Sequence, residues 1–258
     1  MNKSSLTYWF QKIAGLEIPI PKTEIVSLTS EEIQAYLKCG GDSIYFPRLN
    51  EQVRKVIRKM FQLPVFLRTD EYSGKHSWKK TCFLDNLDNL DANLARLTEE
   101  SMSVDFLGAL PLQAIVVREF ISMDSRFTAF RGEMPVNPER RYFIRNRKIE
   151  CHHPYWIEDA VAQGTREDKL PQNWRQLAKD MNNESPEEVS TLTEYAQRIA
   201  SLMPEYWSID FCKSRARGWI LIDMAEGEKS WHPSDCKYST MPEEHEKEPT
   251  FQLVQKKK

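Results

Sequence analysis

The sequence predicts an α+β protein built on antiparallel hairpins. Three observations carry that expectation. Apolar residues recur at helical spacing in several segments, short apolar runs of strand length lie between them, and two pairs of those runs flank tight polar turns. With 258 residues, 40% hydrophobic and 29% charged, the chain is too apolar for disorder and too polar for a membrane bundle. Its 36 basic and 38 acidic residues leave a net charge of -2, which excludes a global basic field for nucleic acid. No G-x-G-x-x-G or G-x-x-x-x-G-K-S/T occurs, so the glycine fingerprints of dinucleotide and P-loop sites are missing.

Residues 4–14 bring Leu6, Trp9, Phe10 and Ile13 onto one helical face. Thr29-Ser30-Glu31-Glu32 opens a second helix as a capping box, a hydroxyl followed three residues later by Glu. Asn50 reads as the N-cap of a third helix with Val53, Val56, Ile57 and Met60 on its apolar side. The first sixty residues are therefore expected to be mostly helical. Pro64-Val65-Phe66-Leu67 is expected to be a buried strand, with a polar loop from Arg68 to His76 and a returning strand from Trp78 to Phe83. Leu84, Leu87, Leu90, Leu94 and Leu97 predict an amphipathic helix, and Ala114-Ile115-Val116-Val117 a buried strand. Arg126 to Arg131 reads as another strand. Arg141-Tyr142-Phe143-Ile144 and Lys148-Ile149-Glu150-Cys151 flank Arg145-Asn146-Arg147 as a hairpin. Helices are predicted over 171–182 and 187–203, the second started by Ser185-Pro186-Glu187-Glu188. Trp207 to Phe211 and Trp219 to Ile222 form a second hairpin, and the charged stretch from Ser239 reads as a frayed tail.

The five cysteines are scattered, with no C-x-x-C pair. That argues against a disulfide framework or a structural zinc site and for a reducing, cytoplasmic setting. His152-His153 is set aside as a chelating pair, because neighbours on a strand point to opposite faces. The N-terminus lacks the apolar stretch of a signal peptide, and no apolar run is long enough to span a membrane.

Chemistry concentrates in four places. Asp210 and Asp223 end two apolar strands, and Glu226 follows. Carboxylates there are costly unless they meet a cation, and such hard oxygen donors hold Mg²⁺ bridging nucleotide phosphates; the alternative is a pair of strand-end caps. The segment from Arg68 to Lys80 runs from a strand into a loop with Gly74 and several cations, suited either to phosphate or to an exposed basic turn. Arg118-Glu119-Phe120-Ile121 follows a buried strand and can present backbone groups to a base, or be a plain strand end. In Glu139-Arg140-Arg141-Tyr142-Phe143-Ile144-Arg145, alternation puts Arg141, Phe143 and Arg145 on one face; a charged edge strand is the competing reading.

In this order the four features resemble an ATP-grasp nucleotide site. Residues carrying the likeness are Leu67-Arg68 with Ser73-Gly74-Lys75 and Trp78; Val117 to Phe120; Glu139 to Asn146; Ile209-Asp210; and Leu221-Ile222-Asp223. The chain is similar, over about Pro64 to Pro233, to the family of the cell-division-cycle protein that chaperones assembly of a translation initiation factor. It is also similar to the phage and bacterial ATP-grasp clade named for its arginines and lysine. The resemblance implies lobes over 63–117 and 118–238 gripping ATP. A helical N-terminal subdomain over 1–62 and a charged tail over 239–258 are expected to flank them. The resemblance also implies that Arg68 and Lys75 bind phosphates and that the backbone at Glu119, Phe120 and Ile121 holds adenine. Arg141 would face the γ-phosphate, so that Arg141 and Lys75 carry the catalysis, while Asp210 and Asp223, with Glu226, hold Mg²⁺. One departure stands out: the family's last acidic residue is usually followed two places later by a metal-ligating Asn, and here that place is Ala225. The implied activity is a carboxylate–amine ligase working through an acyl phosphate on an unidentified, peptide or protein, acceptor. A nucleotide-binding assembly chaperone for a partner protein is the alternative.

Overall fold

The computed structural model describes residues 3–38, 45–105, 112–130, 134–165 and 169–239. The chain runs through α1 (Leu6–Ile13), β1 (Thr23–Ser27), α2 (Ser30–Lys38), α3 (Pro47–Met60), β2 (Val65–Thr69), β3 (Phe83–Leu84), α4 (Leu90–Asp105) and β4 (Ala114–Glu119). It continues through β5 (Phe127–Ala129), β6 (Met134–Val136), β7 (Glu139–Arg145), β8 (Lys148–Pro154), α5 (Glu158–Gly164), α6 (Trp174–Asn182), α7 (Pro186–Leu202), β9 (Trp207–Ser214) and β10 (Gly218–Glu226). One sheet has the order β1-β4-β2-β3 and the other β10-β9-β7-β8, with β5-β6 as a separate hairpin. Every pairing is antiparallel, so the α+β expectation holds.

Each sheet buries one face against helices, and the strand period of two decides which residues turn the other way. On the first sheet Val65, Leu67, Ile115 and Val117 share a core with Leu49, Val53 and Ile57 of α3 and Leu94 and Leu97 of α4. Phe66 and Arg68 of β2 and Arg118 of β4 therefore face away from that core. On the second sheet Tyr142, Ile144, Ile209 and Phe211 pack on Leu6, Trp9 and Ile13 of α1 and on Leu192, Ala196 and Ile199 of α7. That leaves Glu139, Arg141 and Asp210 on the opposite face.

Several elements follow the sequence closely. The capping box at Thr29 closes reciprocally: the Glu32 amide donates to Thr29 Oγ1 at 3.2 Å and the Thr29 amide to Glu32 Oε2 at 2.8 Å. Ser185 caps α7 through the Glu188 amide. Others differ. The first sixty residues are mostly helical, as expected, but they also supply an unpredicted strand, β1, which pairs with β4 from Thr23↔Arg118 to Ser27↔Ala114. The alternation in Thr-Glu-Ile-Val-Ser is short and lies between two strong helical patterns. Asn50 sits inside α3, which Pro47 opens, and its side-chain amide donates to Asp91. Lys75–Lys80, including Trp78, is a 3₁₀ helix, so the return to β2 shrinks to Phe83–Leu84. The leucine helix starts only at Leu90: Leu84 belongs to β3, and Asn86 accepts from the Asp88 amide in a separate 3₁₀ turn. Arg131 and the tail beyond Ser239 lie outside the described residues.

Candidate functional site

The two outward-turned sheet faces meet across one cavity, lined by Phe66, Arg68 and Arg118 on one side and by Glu139, Arg141, Asp210 and Asp223 on the other. Lys75, Glu119, Phe120 and Ile121 also line it. Of the site residues singled out in the sequence, Glu226 is the one that is not on its wall. The Glu226 carboxylate pairs with Lys229 Nζ at 2.6 Å and accepts from Ser4 Oγ at 3.3 Å.

Asp210 and Asp223 stand opposite each other in the β9–β10 ladder. A bulge makes this possible: Leu221 pairs with Phe211 and Asp223 with Asp210, leaving Ile222 as the extra residue. Each carboxylate already faces an arginine. Arg141 grips Asp210 bidentately, Nε to Oδ1 and Nη2 to Oδ2 both at 2.8 Å, and donates Nη1 to the Trp231 carbonyl at 3.1 Å. Burial disfavours the Arg141 guanidinium, but Asp210 outweighs it and holds the pKa above the ordinary value. Arg68, 3% exposed, places Nη1 2.9 Å from Asp223 Oδ1. It also donates to the carbonyls of Thr69 and Glu71.

Arg118 differs. Its Nη1 donates to the carbonyl of the bulged Ile222, but Nε and Nη2 are buried without a hydrogen-bond partner. Burial, and then the neighbouring Arg68, push its guanidinium down to about 9 against the pull of Asp223. It remains charged at neutral pH. The wall carrying Arg68 and Arg118 thus sets two cations against one anion, Asp223, reaching across from the facing sheet.

Lys75 enters from the 3₁₀ helix after Gly74. That glycine has φ +63, and a Cβ there would meet Leu97 Cδ1 at 2.8 Å, so the turn that aims Lys75 needs glycine. The ammonium lies 3.8 Å from Glu139 Oε2 and 4.6 Å from the Tyr155 ring centroid. Burial works against its charge, yet Glu139, followed by Tyr155 and Asp210, holds the pKa above the ordinary value. Burial raises Glu139 despite Lys75. Glu119 is committed elsewhere: Oε1 accepts from the Lys22 amide and from Arg217 Nη1, both at 2.7 Å. Phe120 packs edge-on to Phe83, giving the cavity an aromatic end with Phe66 and Trp78.

Sequence reasoning did not assign roles to Arg118 or Glu139, although both lie inside quoted motifs. The signal was available for Arg118, since alternation from buried Val117 turns it away from the helix side. For Glu139 only the cross-sheet approach of Lys75 reveals it.

Two antiparallel α+β layers closing on a cavity of paired cations and carboxylates define an ATP-grasp protein. The chain belongs to that superfamily: an ATP-grasp domain model, the third family of the clade named for its arginines and lysine, matches residues 52–244. No curated protein matches it. Among solved structures it is similar to C-terminally truncated Cdc123 from Schizosaccharomyces pombe, with TM-score 0.54 and 12% identity over 88% of this chain and 86% of that one. It is also similar to the RimK domain ATP-grasp protein of Sphaerobacter thermophilus DSM 20745, with TM-score 0.44, 11% identity and 87% of this chain covered. A third is the VanG D-Ala:D-Ser ligase of Enterococcus faecalis, with TM-score 0.49, 10% identity and 87% of this chain covered. The chain spans 58% of the RimK-domain protein and 52% of VanG. Among the described residues no helix is long and apolar enough to cross a membrane.

Proposed function

We propose that the cavity binds Mg-ATP and that the protein is an ATP-dependent carboxylate–amine ligase. The observation that carries the reading is the Arg118 guanidinium beside Arg68 on the cavity wall, with Nε and Nη2 buried and lacking hydrogen-bond partners. Buried N–H groups without acceptors are costly, and an oligophosphate supplies both the acceptors and the missing negative charge. Phe66, Phe120 and Ile121 offer the apolar end suited to a base.

The donor set also fits Mg²⁺. Asp210 and Asp223 are hard oxygen donors on adjacent strands, and the ion would supply charge neutralisation at the phosphates. Arg141, on the sheet that carries these carboxylates, and Lys75, reaching across from the first sheet to Glu139, stabilise charge spreading over a transferred phosphoryl group. In such a ligase the substrate carboxylate takes the γ-phosphoryl with ADP leaving. The amine then attacks the acyl carbon and phosphate departs. Glu139, held beside Lys75, keeps that ammonium in place. The acceptor is a carboxylate or amine on a peptide or protein, handled in the reducing cytoplasm that the scattered cysteines suit.

A second reading has one observation in its favour. Ala225 occupies the place where a metal-ligating Asn is usual, and Glu226 is drawn to Lys229 and Ser4. A weakened metal set suits a nucleotide-binding assembly chaperone that grips a partner protein. Thermal unfolding with Mg-ATP, against Mg²⁺ with adenosine, tests binding. A ligand at 100 times its Kd adds about 2.7 kcal/mol, so Mg-ATP raises Tm and adenosine does so far less. An unchanged Tm at millimolar Mg-ATP refutes both readings. Release of ADP and phosphate only when a carboxylate and an amine are both supplied selects the ligase. Stable ATP retention without turnover, with one copurifying partner, selects the chaperone.

A further inference from the structure

Beside the cavity, on the same face of the second sheet as Arg141 and Phe143, with which His153 and Cys151 pair in the β7–β8 ladder, Cys151, His153, His232 and Cys236 converge. One ligand atom from each lies within 4.8 Å of all the others. We infer that these four side chains form a tetrahedral zinc site that fastens the segment after β10 onto β8. Two thiols and two imidazoles are a donor set zinc prefers. Zn–S bonds of about 2.3 Å and Zn–N bonds of about 2.0–2.1 Å place tetrahedral ligand atoms roughly 3.3–3.8 Å apart. The observed cluster needs only a small contraction to reach that spacing.

The backbone explains the convergence. Cys151 and His153 are two apart on β8 and so share a face. The other two ligands come from one turn, Trp231 to Cys236, in which the Cys236 amide donates to the Pro233 carbonyl at 3.2 Å. His232 is fixed on three sides. Its ring stacks on Phe143 with centroids 4.0 Å apart and planes at 10°. Its Nδ1 faces the Tyr206 hydroxyl at 3.3 Å, and its Nε2 lies 3.2 Å from Cys151 Sγ. A ligating histidine usually has its second nitrogen engaged in this way, which sets the tautomer. His153 Nε2 is buried without a hydrogen-bond partner, as a nitrogen reserved for a metal would be.

The spacing C-x-H followed far along the chain by H-x-x-x-C escapes a search for C-x-x-C. Adjacent His152 takes no part: its Nδ1 faces Glu184 at 3.1 Å. The site has a use within the fold. Trp231, next to His232, offers its carbonyl to Arg141, so fastening this turn also steadies a guanidinium of the cavity wall.

The test is elemental analysis of the full chain expressed with zinc and dialysed into metal-free buffer. Wild type is expected to retain one zinc per chain. Cys236→Ser and His232→Ala should each lose it, and Tyr206→Phe should weaken zinc binding by about 10- to 100-fold. Cobalt(II) supplied to the metal-stripped wild type should give the visible ligand-field bands and thiolate-to-metal charge transfer of a tetrahedral site. That readout does not depend on any variant folding. A strong chelator should lower Tm, and Zn²⁺, not Mg²⁺, should restore it. A wild-type chain that holds no zinc and whose Tm ignores Zn²⁺ overturns the inference. So does a Cys151–Cys236 disulfide in the freshly purified protein, or iron or copper in place of zinc.

Discussion

Arg118 and Arg141 present guanidiniums on facing walls of one cavity, and they are in opposite electrostatic situations. Arg141 has a bidentate carboxylate and a carbonyl. Arg118 has one carbonyl, a like-charged neighbour and two buried donors with nothing to accept from them. The difference teaches where a ligand is needed. A balanced arginine supports the fold whether or not anything binds, whereas an unbalanced one is a cost that only an anion relieves.

The largest expected effect tests the balanced side. Arg141→Met leaves Asp210 buried without its partner and should destabilise the apo protein by about 3–5 kcal/mol, read by urea unfolding. A variant as stable as wild type would mean that the pair contributes little. The opposite sign is expected across the cavity. Arg118→Met removes an unsatisfied buried cation and should stabilise the apo protein by about 1 kcal/mol. It should also weaken Mg-ATP about 10- to 100-fold in calorimetry, with adenosine little changed. Equal loss of stability in both variants would erase the contrast.

Asp223→Asn sharpens the comparison from the anion's side. It leaves Arg68 and Arg118 with no counter-charge, so apo stability should fall. Because the Asp223 side chain is 33% exposed, solvent screens part of the loss, leaving about 1 kcal/mol. Mg²⁺ dependence of ATP affinity should disappear in the same variant. A higher apo Tm would instead indicate that repulsion between Asp210 and Asp223 dominates.

The smallest effect concerns Glu139, whose pKa burial raises above the ordinary 4.5. The folded protein then binds this proton more tightly than the unfolded chain. Its contribution is fully present below 4.5 and lost as pH rises through the raised folded value. Glu139→Gln lacks that slope. The Tm of wild type should therefore fall, relative to that of Glu139→Gln, as the pH rises across this window, and parallel curves would refute the assignment.

Local pattern made much of this legible. Period-two alternation in Val65-Phe66-Leu67-Arg68 and in Arg141-Tyr142-Phe143 already separates one sheet face from the other, and the capping residues Thr29 and Ser185 are where their chemistry puts them. What alternation cannot show is which strands meet. The pairing of β1 with β4, the bulge at Ile222 that sets Asp223 opposite Asp210, and the commitment of Glu119 to Arg217 are contacts between segments that local spacing does not connect. The diversion of Glu226 to Lys229 and Ser4 likewise depends on how the chain end of β10 meets the N-terminal segment.

The sequence by itself determined the α+β class, the hairpins and the residue types of the cavity, because each follows from spacing within a few residues. Only the tertiary structure decided which charges cancel and which do not. Pair electrostatics falls off over a few ångströms, and that proximity is fixed by packing rather than by order along the chain. The Cys151–His232 approach shows this most plainly: 81 residues separate two atoms that lie 3.2 Å apart.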